Sequence, residues 1–336
     1  MRCPSPFFSL LSYGVRGPTM QHATTLGQAG ATTHTSRDRL GAHFSKYALP
    51  YLLILPSLLF LAAIEFYPLA VGISEAFHYH NRVQPWATRF VGLGNFVQAL
   101  QSQAVQQALR TSVVMVAGVV GFSYLLGLIA GLLLNQKIRG RGIYRALILV
   151  PWIAPPITAY ISWQWMLNDQ LGTINRALMA IGLVDPFDPI IWLADPVLAM
   201  LSVITVGTWF RFPFMMITVL AALSAIPDEL HEAAALDGAT AIQRFRDVTF
   251  PLILPVSIIA ILLQSIWTFN DFALTFVLTG GGPANATTPL ILMAYREAFQ
   301  RFNIGYGTSL AVISLVLMLA LGSVYLRMQA RQEADS

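Results

Sequence analysis

The chain has 336 residues, of which 56% are hydrophobic and only 11% charged, and its mean hydropathy is +0.62. Ordinary soluble domains carry about 25% charged residues, so a soluble fold is excluded and the chain reads as a membrane protein. The net charge of +4 matters only through where the cations lie.

The first residues, "MRCPSPFFSLLSYGVRGPTM", weakly imitate a signal peptide but lack a small-x-small cleavage site. Translation is therefore expected to begin at Met20. Residues 21–46 are rich in Ser, Thr, Gly and His, so residues 1–46 are expected to form a poorly ordered tail. Cys3, the lone cysteine, supports neither an intrachain disulfide nor a thiol metal site.

A helix rises about 1.5 Å per residue, so about 20 apolar residues cross a bilayer. Six runs qualify. They are 47–64 (continuing past Glu65 to Ser74), 111–134, 146–168, 197–223 (interrupted only by Arg211), 252–270 (running on past Asp271 to Leu278) and 302–326. Only helices satisfy their backbone in lipid at such lengths, which predicts an all-α integral membrane protein with six spans over 47–328 and a short tail at 329–336. Six spans put both termini on one side. With that side cytoplasmic, thirteen of the twenty Lys and Arg lie inside, six lie outside, and Arg211 falls within a span, as the positive-inside rule requires. Between spans one and two, His78 and His80 alternate and read as an interfacial loop pair; no metal site is expected.

The segment between spans four and five, "HEAAALDGATAIQRFRDVTFPLILP" at 231–255, is charged, compact and helix-forming. Pro227 suits a helix first turn, and Asp228, Glu229 and Glu232 place negative charge near its positive end. Ala233, Ala234 and Ala235 give a surface that another protein can approach closely. Asp237-Gly238 ends the helix in a left-handed turn, and Thr240 with Gln243 reads as a capping box. The restarted helix puts Ile242, Phe245 and Val248 on one face, and Pro251 should stop it. Residues 227–251 thus predict two short angled helices, a shape for docking.

These residues carry a resemblance. Glu232-Ala233-Ala234, Asp237-Gly238-Ala239, Phe245, Pro251 and Pro255 resemble the EAA motif of permease subunits of ATP-binding-cassette importers. "FVGLGNF" at 90–96, "PWIAPP" at 151–156, "GTIN" at 172–175 and "LTGGGP" at 278–283 are similar to the carbohydrate-uptake branch, on the side of the maltose and glycerol-phosphate "first" permease. Tyr295–Phe299 and Gly305-Tyr306-Gly307 extend the likeness, which covers about 47–328. Glu65 departs from the branch, where that position is usually apolar. The resemblance implies a type I importer bundle in the bacterial inner membrane. In it Glu232, Ala233, Ala234, Asp237, Gly238 and Ala239 form a cytoplasmic coupling helix seated in an ATPase. The implied partners are a second permease in a heterodimeric pore, two ATPase subunits, a substrate-binding protein and a carbohydrate. No nucleic acid partner is expected.

A phosphate-binding loop needs a lysine in the pattern GxxxxGK[ST], and neither Lys46 nor Lys137 sits in one. The chain is therefore expected to be no enzyme and to bind no cofactor, with ATP used by the partner ATPases. Charged groups within spans are functional candidates. Counted from the outer ends of their spans, Arg211 lies about 21 Å deep and Asp271 about 10 Å, which argues against direct pairing and leaves either free to line a substrate path. Gln264, Trp267, Asn270 and Asp271 read as one polar and aromatic stripe suited to sugars, against the alternative of ordinary packing. Tyr160, Trp163 and Trp165 read as an interfacial belt. Gly280, Gly281, Gly282 and Pro283 permit a sharp external turn and, with an amphipathic helix over 288–302, a contact for the binding protein. Beside a carbohydrate importer, two other readings stay open: a permease for a solute such as glycerol phosphate, and a secondary transporter driven by an ion gradient.

Overall fold

The computed structural model describes residues 52–334, and side chains to Arg327. The expected start at Met20 and the tail at 1–46 lie outside the described residues. From Ala63 onward the described residues form one compact unit. Helix α1 (Leu52–Ala76) is followed by a two-stranded antiparallel ribbon, β1 (His78–Tyr79) with β2 (Arg89–Phe90), in which His78 faces Phe90. Next come α2 (Gly94–Gln101), α3 (Gln103–Asn135), α4 (Arg141–Ile153), α5 (Pro156–Met166), α6 (Thr173–Ala180) and α7 (Pro196–Ser224). The second half holds α8 (Asp228–Leu236), α9 (Ala241–Phe269), α10 (Phe272–Leu278), α11 (Leu290–Tyr295) and α12 (Ile304–Ala334).

Five helices, α1, α3, α7, α9 and α12, are long and apolar enough to cross a membrane. Counting α4 and α5 as one broken span makes six. The pair bends by 92°, within the uncharged run at 146–168 that reads as one span. Ala154 and Pro155 are extended there (ψ 143° and 126°), because a proline pushes the residue before it out of the helical region. Helix α12 also continues to Ala334, into the segment expected to be a tail.

Other prolines are absorbed without a break: Pro151, Pro213 and Pro255 lie inside continuous helices, as do Pro68 and Pro251. Pro251 was expected to stop the helix before span five, yet α9 runs through it. A wider π-helical turn at Phe245–Thr249 lies just ahead of Pro251, and another at Ala62–Phe66 just ahead of Pro68. Proline has no N–H to donate to the residue four earlier, and at Pro68 and Pro251 a local π turn accommodates that loss. Glu65 sits in the turn at Ala62–Phe66.

The centre of the bundle is the α3/α7 pair. A methyl on Gly118 would stand 2.6 Å from Ile204 Cδ1, one on Gly127 2.5 Å from Met215 Cβ and 2.8 Å from Met216 N, and one on Gly131 3.0 Å from Val219 Cγ1. Residue numbers rise together along this seam, so the two helices run parallel and their C-terminal ends share one side. Small residues let backbones approach where lipid supplies no hydrophobic drive. Around the seam pack Met115, Val119, Tyr160, Val203, Phe210, Leu274 and Leu278, all buried. Replacing Gly127 with valine forces apart backbone rather than a flexible side chain. The expected result is destabilisation of about 3 kcal/mol or more, read as lost membrane abundance, whereas Gly121→Val, at a site with nothing within 4 Å, stays near wild type.

Two motif asparagines hold loops rather than line a path. Asn95 Nδ2 donates to Ala76 O and His78 O, each at 2.9 Å. Asn175 Nδ2 donates to Asp169 O and Ile190 O, while its Oδ1 accepts from Trp192 Nε1 at 2.8 Å. His80 has a partner the sequence reading passed over, Glu75, whose Oε2 lies 2.7 Å from Nδ1.

Candidate functional site

The segment at 227–251 is built as its residues dictate, with one shift. Pro227 serves as the cap residue, and Asp228 and Glu229 fill the first turn of α8. Gly238 N donates to Ala235 O at 3.1 Å and Ala239 N to Ala234 O at 3.0 Å, the paired bonds of a Schellman end. Gly238 takes φ +79°, and a Cβ there would meet nothing within 4 Å. The glycine is therefore required by conformation, not by crowding. The capping box is present: Gln243 N donates to Thr240 Oγ1 at 3.4 Å and Thr240 N to Gln243 Oε1 at 2.8 Å.

Helix α8 buries no residue. Glu232, Ala233 and Asp237 are exposed, and Ala234 and Ala239 are half-buried. Leu236 and Ile242 are exposed at 89% and 79%, so this short rigid element presents two large apolar side chains beside small ones and acids. The face proposed for Ile242, Phe245 and Val248 splits. Phe245 and Val248 are half-buried, with Phe245 against Phe250 at 5.9 Å, and Ile242 points away. The π turn starting at Phe245 breaks the 3.6-residue period on which that face was counted.

The second site lies inside the bundle. Arg211 Nη2 donates to Asp271 Oδ2 at 2.5 Å, and both side chains are about nine-tenths buried. Tyr160 Oη donates to the same oxygen at 2.9 Å, and Leu274 N donates to Oδ1 at 3.0 Å. The expectation that Arg211 and Asp271 are too far apart in depth is thus overturned. Depth was counted as though spans four and five ended at one level. A methyl on Gly207 would lie 3.0 Å from Leu274 Cδ2, which sets 207 level with 274 on oppositely directed helices, and one turn further 211 meets 271. Helix α7 simply reaches further out than α10. Tyr160 is fully buried, not part of an interfacial belt. Of its two companions, Trp163 packs edge-on to Trp209 at 5.4 Å and Trp165 is exposed.

Asp271 also explains why span five does not run on to Leu278. Helix α9 ends at Phe269, and the Asp271 carboxylate caps the start of α10. The stripe is divided accordingly. Gln264 is buried and Asp271 sits in the ion pair, while Trp267 (43% exposed) and Asn270 face outward. At about 100° per residue the four positions span about 120°, wide enough to straddle the boundary between core and surface. Asn270 Nδ2 donates back to Ile266 O at 2.9 Å. Trp267 instead belongs to a row the sequence reading missed: it meets Phe214 edge-on at 5.1 Å, and Phe214 meets Trp152 at 5.8 Å. Each residue comes from a different span, so no periodicity within one segment could reveal the row.

On the opposite side, Gly280 (φ +58°) and Gly281 (φ +87°) make the turn, and Gly282-Pro283 is a cis bond. Arg296 holds the loop through Nη1 to Asn285 Oδ1 at 2.8 Å and Nη2 to Gly280 O. Gly281 is buried, Gly280, Gly282 and Pro283 are half-buried, and the exposed tip is Ala284-Asn285. The helix expected over 288–302 is present as α11 and a π turn at Arg296–Gln300.

Residues 123–334 match the model of the family described as the binding-protein-dependent transport system inner membrane component. A probable ABC transporter permease protein of Brucella suis biovar 1 (strain 1330) is 37% identical over 285 residues, 85% of this chain and 98% of that protein. The trehalose/maltose transport system permease protein MalF of Thermococcus litoralis is 34% identical over 279 residues, 83% and 92% of the two chains. The sn-glycerol-3-phosphate transport system permease protein UgpA of Agrobacterium fabrum is 30% identical over 285 residues, 84% and 95%. Among solved structures, a chain of a bacterial alginate ABC transporter in complex with an alginate pentasaccharide-bound periplasmic protein superposes with a TM-score of 0.73, at 22% identity, over 87% of this chain and 98% of that one. The chain is a multi-pass membrane protein that belongs to the family of inner membrane components of binding-protein-dependent transport systems.

Proposed function

We propose that the chain is a permease subunit that forms half of the pore of an ATP-driven carbohydrate importer. It pairs with a second permease, is driven by two ATPase subunits and receives its solute from a binding protein. The observation that carries this reading is α8, an exposed helix closed at Gly238 and tied directly to α7 and α9, in a chain whose two lysines both lie outside any phosphate-binding loop. In this reading Glu232, Ala233, Ala234, Asp237, Gly238 and Ala239 make the ATPase contact, and 227–251 lies in the cytoplasm with both termini. The external loop at Gly280, Gly281, Gly282 and Pro283 supports the binding-protein contact, with Ala284-Asn285 as its tip.

The substrate path is proposed along Trp152, Phe214, Trp267 and Asn270. Aromatic faces cover the apolar faces of sugar rings, and an amide serves their hydroxyls. Arg211 and Asp271 are moved from the path to a supporting role. With Arg211 neutralised by Asp271, no free cation from this pair faces the path, which favours a neutral sugar over glycerol phosphate.

The test is uptake of labelled mono-, di- and trisaccharides, glycerol phosphate and amino acids in a deletion strain with and without the restored gene. One carbohydrate is expected to be lost on deletion and restored by wild type, and its uptake to stop when ATP is depleted under a maintained proton gradient. Uptake that survives ATP depletion would establish a secondary transporter instead. Trp267→Ala is expected to raise KM about threefold to tenfold, the worth of about 0.5–1.5 kcal/mol of ring contact, with abundance unchanged.

A further inference from the structure

The connection between α3 and α4 carries Lys137, Arg139, Arg141 and Arg145 within nine residues, and no Asp or Glu occurs between Asn135 and Asn168. Lys137, Arg139 and Arg141 are exposed. Among the described residues, none of the four has an acidic side chain within 4.0 Å. Arg145 Nη2 donates to Leu134 O at 3.0 Å, while its Nε is buried and has no hydrogen-bond partner among the described residues.

These cations also crowd the wrong end of a helix. Helix α4 starts at Arg141 behind Gly140 (φ +80°), with no capping side chain and no acid in its first turn. Most first-turn N–H groups already have backbone acceptors, Arg141 N to Ile138 O and Ile143 N to Gly140 O, but the positive end of the dipole adds to four cations, an arrangement that an anion relieves. Depth identifies which anion. From Arg141 to Ala146, where the uncharged run begins, is five residues, or about 7.5 Å. A headgroup layer is about 5–8 Å thick on each side of the hydrocarbon. Ile143, Leu147 and Val150 are all exposed, at 68%, 62% and 59%, and their i, i+4, i+7 spacing makes an outward apolar stripe continuous with the cations. A soluble partner would have to cover that stripe, whereas lipid tails cover it without cost.

We infer that Lys137, Arg139, Arg141 and Arg145 form a binding site for the phosphate headgroup of an anionic phospholipid. The site lies at the same end of the α3/α7 pair as α8, so the lipid steadies the side of the bundle from which the docking helix projects. Long basic side chains suit this role, laying their stems on apolar surface and their heads among phosphates.

The full chain, purified with the subunits it carries, is placed in mixed micelles of equal phosphatidylcholine and phosphatidylglycerol, and bound lipid is counted by native mass spectrometry. Wild type is expected to retain phosphatidylglycerol preferentially. At about fivefold per cation, Lys137→Gln/Arg139→Gln/Arg141→Gln is expected to lose about 100-fold in affinity, while Arg246→Gln, at a residue paired with Asp247, changes nothing. Should the triple variant fail to accumulate, Arg139→Gln alone is expected to lose about fivefold and Arg139→Lys to bind as wild type. Equal retention of the two lipids by wild type overturns the proposal, as does displacement of the lipid by millimolar inorganic phosphate. Unchanged lipid retention with loss of a co-purifying subunit from the triple variant would make this surface a protein interface and also sink it.

Discussion

Asp271→Leu is expected to destabilise the folded chain by about 3–5 kcal/mol, because it leaves the Arg211 guanidinium about nine-tenths buried with no counter-charge. It also strips the cap from α10 and the acceptor from Tyr160 Oη, each worth about 1 kcal/mol. Thermal aggregation followed by fluorescence-detected chromatography in detergent reads the effect directly. Adding Arg211→Leu is expected to recover most of the loss, since a buried pair is often no more stable than apolar residues of similar volume. The remaining deficit measures the cap and the tyrosine bond. If Asp271→Leu and the double variant are equally unstable, the carboxylate acts only as a cap and as the acceptor for Tyr160, and its bond to Arg211 contributes nothing. The comparison also separates position from path: a supporting pair moves stability and transport together, whereas a path residue moves transport alone.

Gly238→Pro is expected to abolish uptake at normal membrane abundance. Proline fixes φ near −65° where the chain needs +79°, and it removes the N–H that binds Ala235 O. The local cost is about 3 kcal/mol or more, and it falls on a helix that buries nothing, so the bundle is spared while α8 loses its shape. Gly238→Ala is the informative companion. Alanine pays about 1–2 kcal/mol for the left-handed conformation but has open space around its methyl, so uptake is expected to fall several-fold and not vanish. Quantitative membrane blotting beside uptake rates checks both. If Gly238→Pro transports normally, α8 is an ordinary loop and the coupling role fails.

The sites differ in how far they could be read from sequence, and the reasons are local against non-local determination. The Schellman end at Gly238 and the capping box at Thr240 and Gln243 depend on residues within six positions of each other, so residue types alone specified them. The spans were legible for the same reason, each being a continuous apolar run. The Arg211–Asp271 pair was not, because it depends on how far α7 slides past α10, and that offset is set by Gly207 against Leu274. Nor was the aromatic row, whose members are 53 or more positions apart. The π turns show a third kind of failure. Pro251 reads as a helix stop, but a helix held on both sides can widen by one residue and continue. One available signal was overlooked: Gly127 and Gly131, four apart in an apolar run, mark the close seam with α7.

Because α8 spends none of its residues on the interior, the bundle places almost no constraint on what its side chains are. If α8 is the ATPase contact proposed above, a substitution there changes which subunit the chain assembles with while leaving the solute path as it was, and the converse holds for the path. In the proposed reading, recognition of the motor and recognition of the cargo are thus separately tunable. Exchanging residues 228–239 between related permeases is therefore expected to exchange their ATPase preference and nothing else.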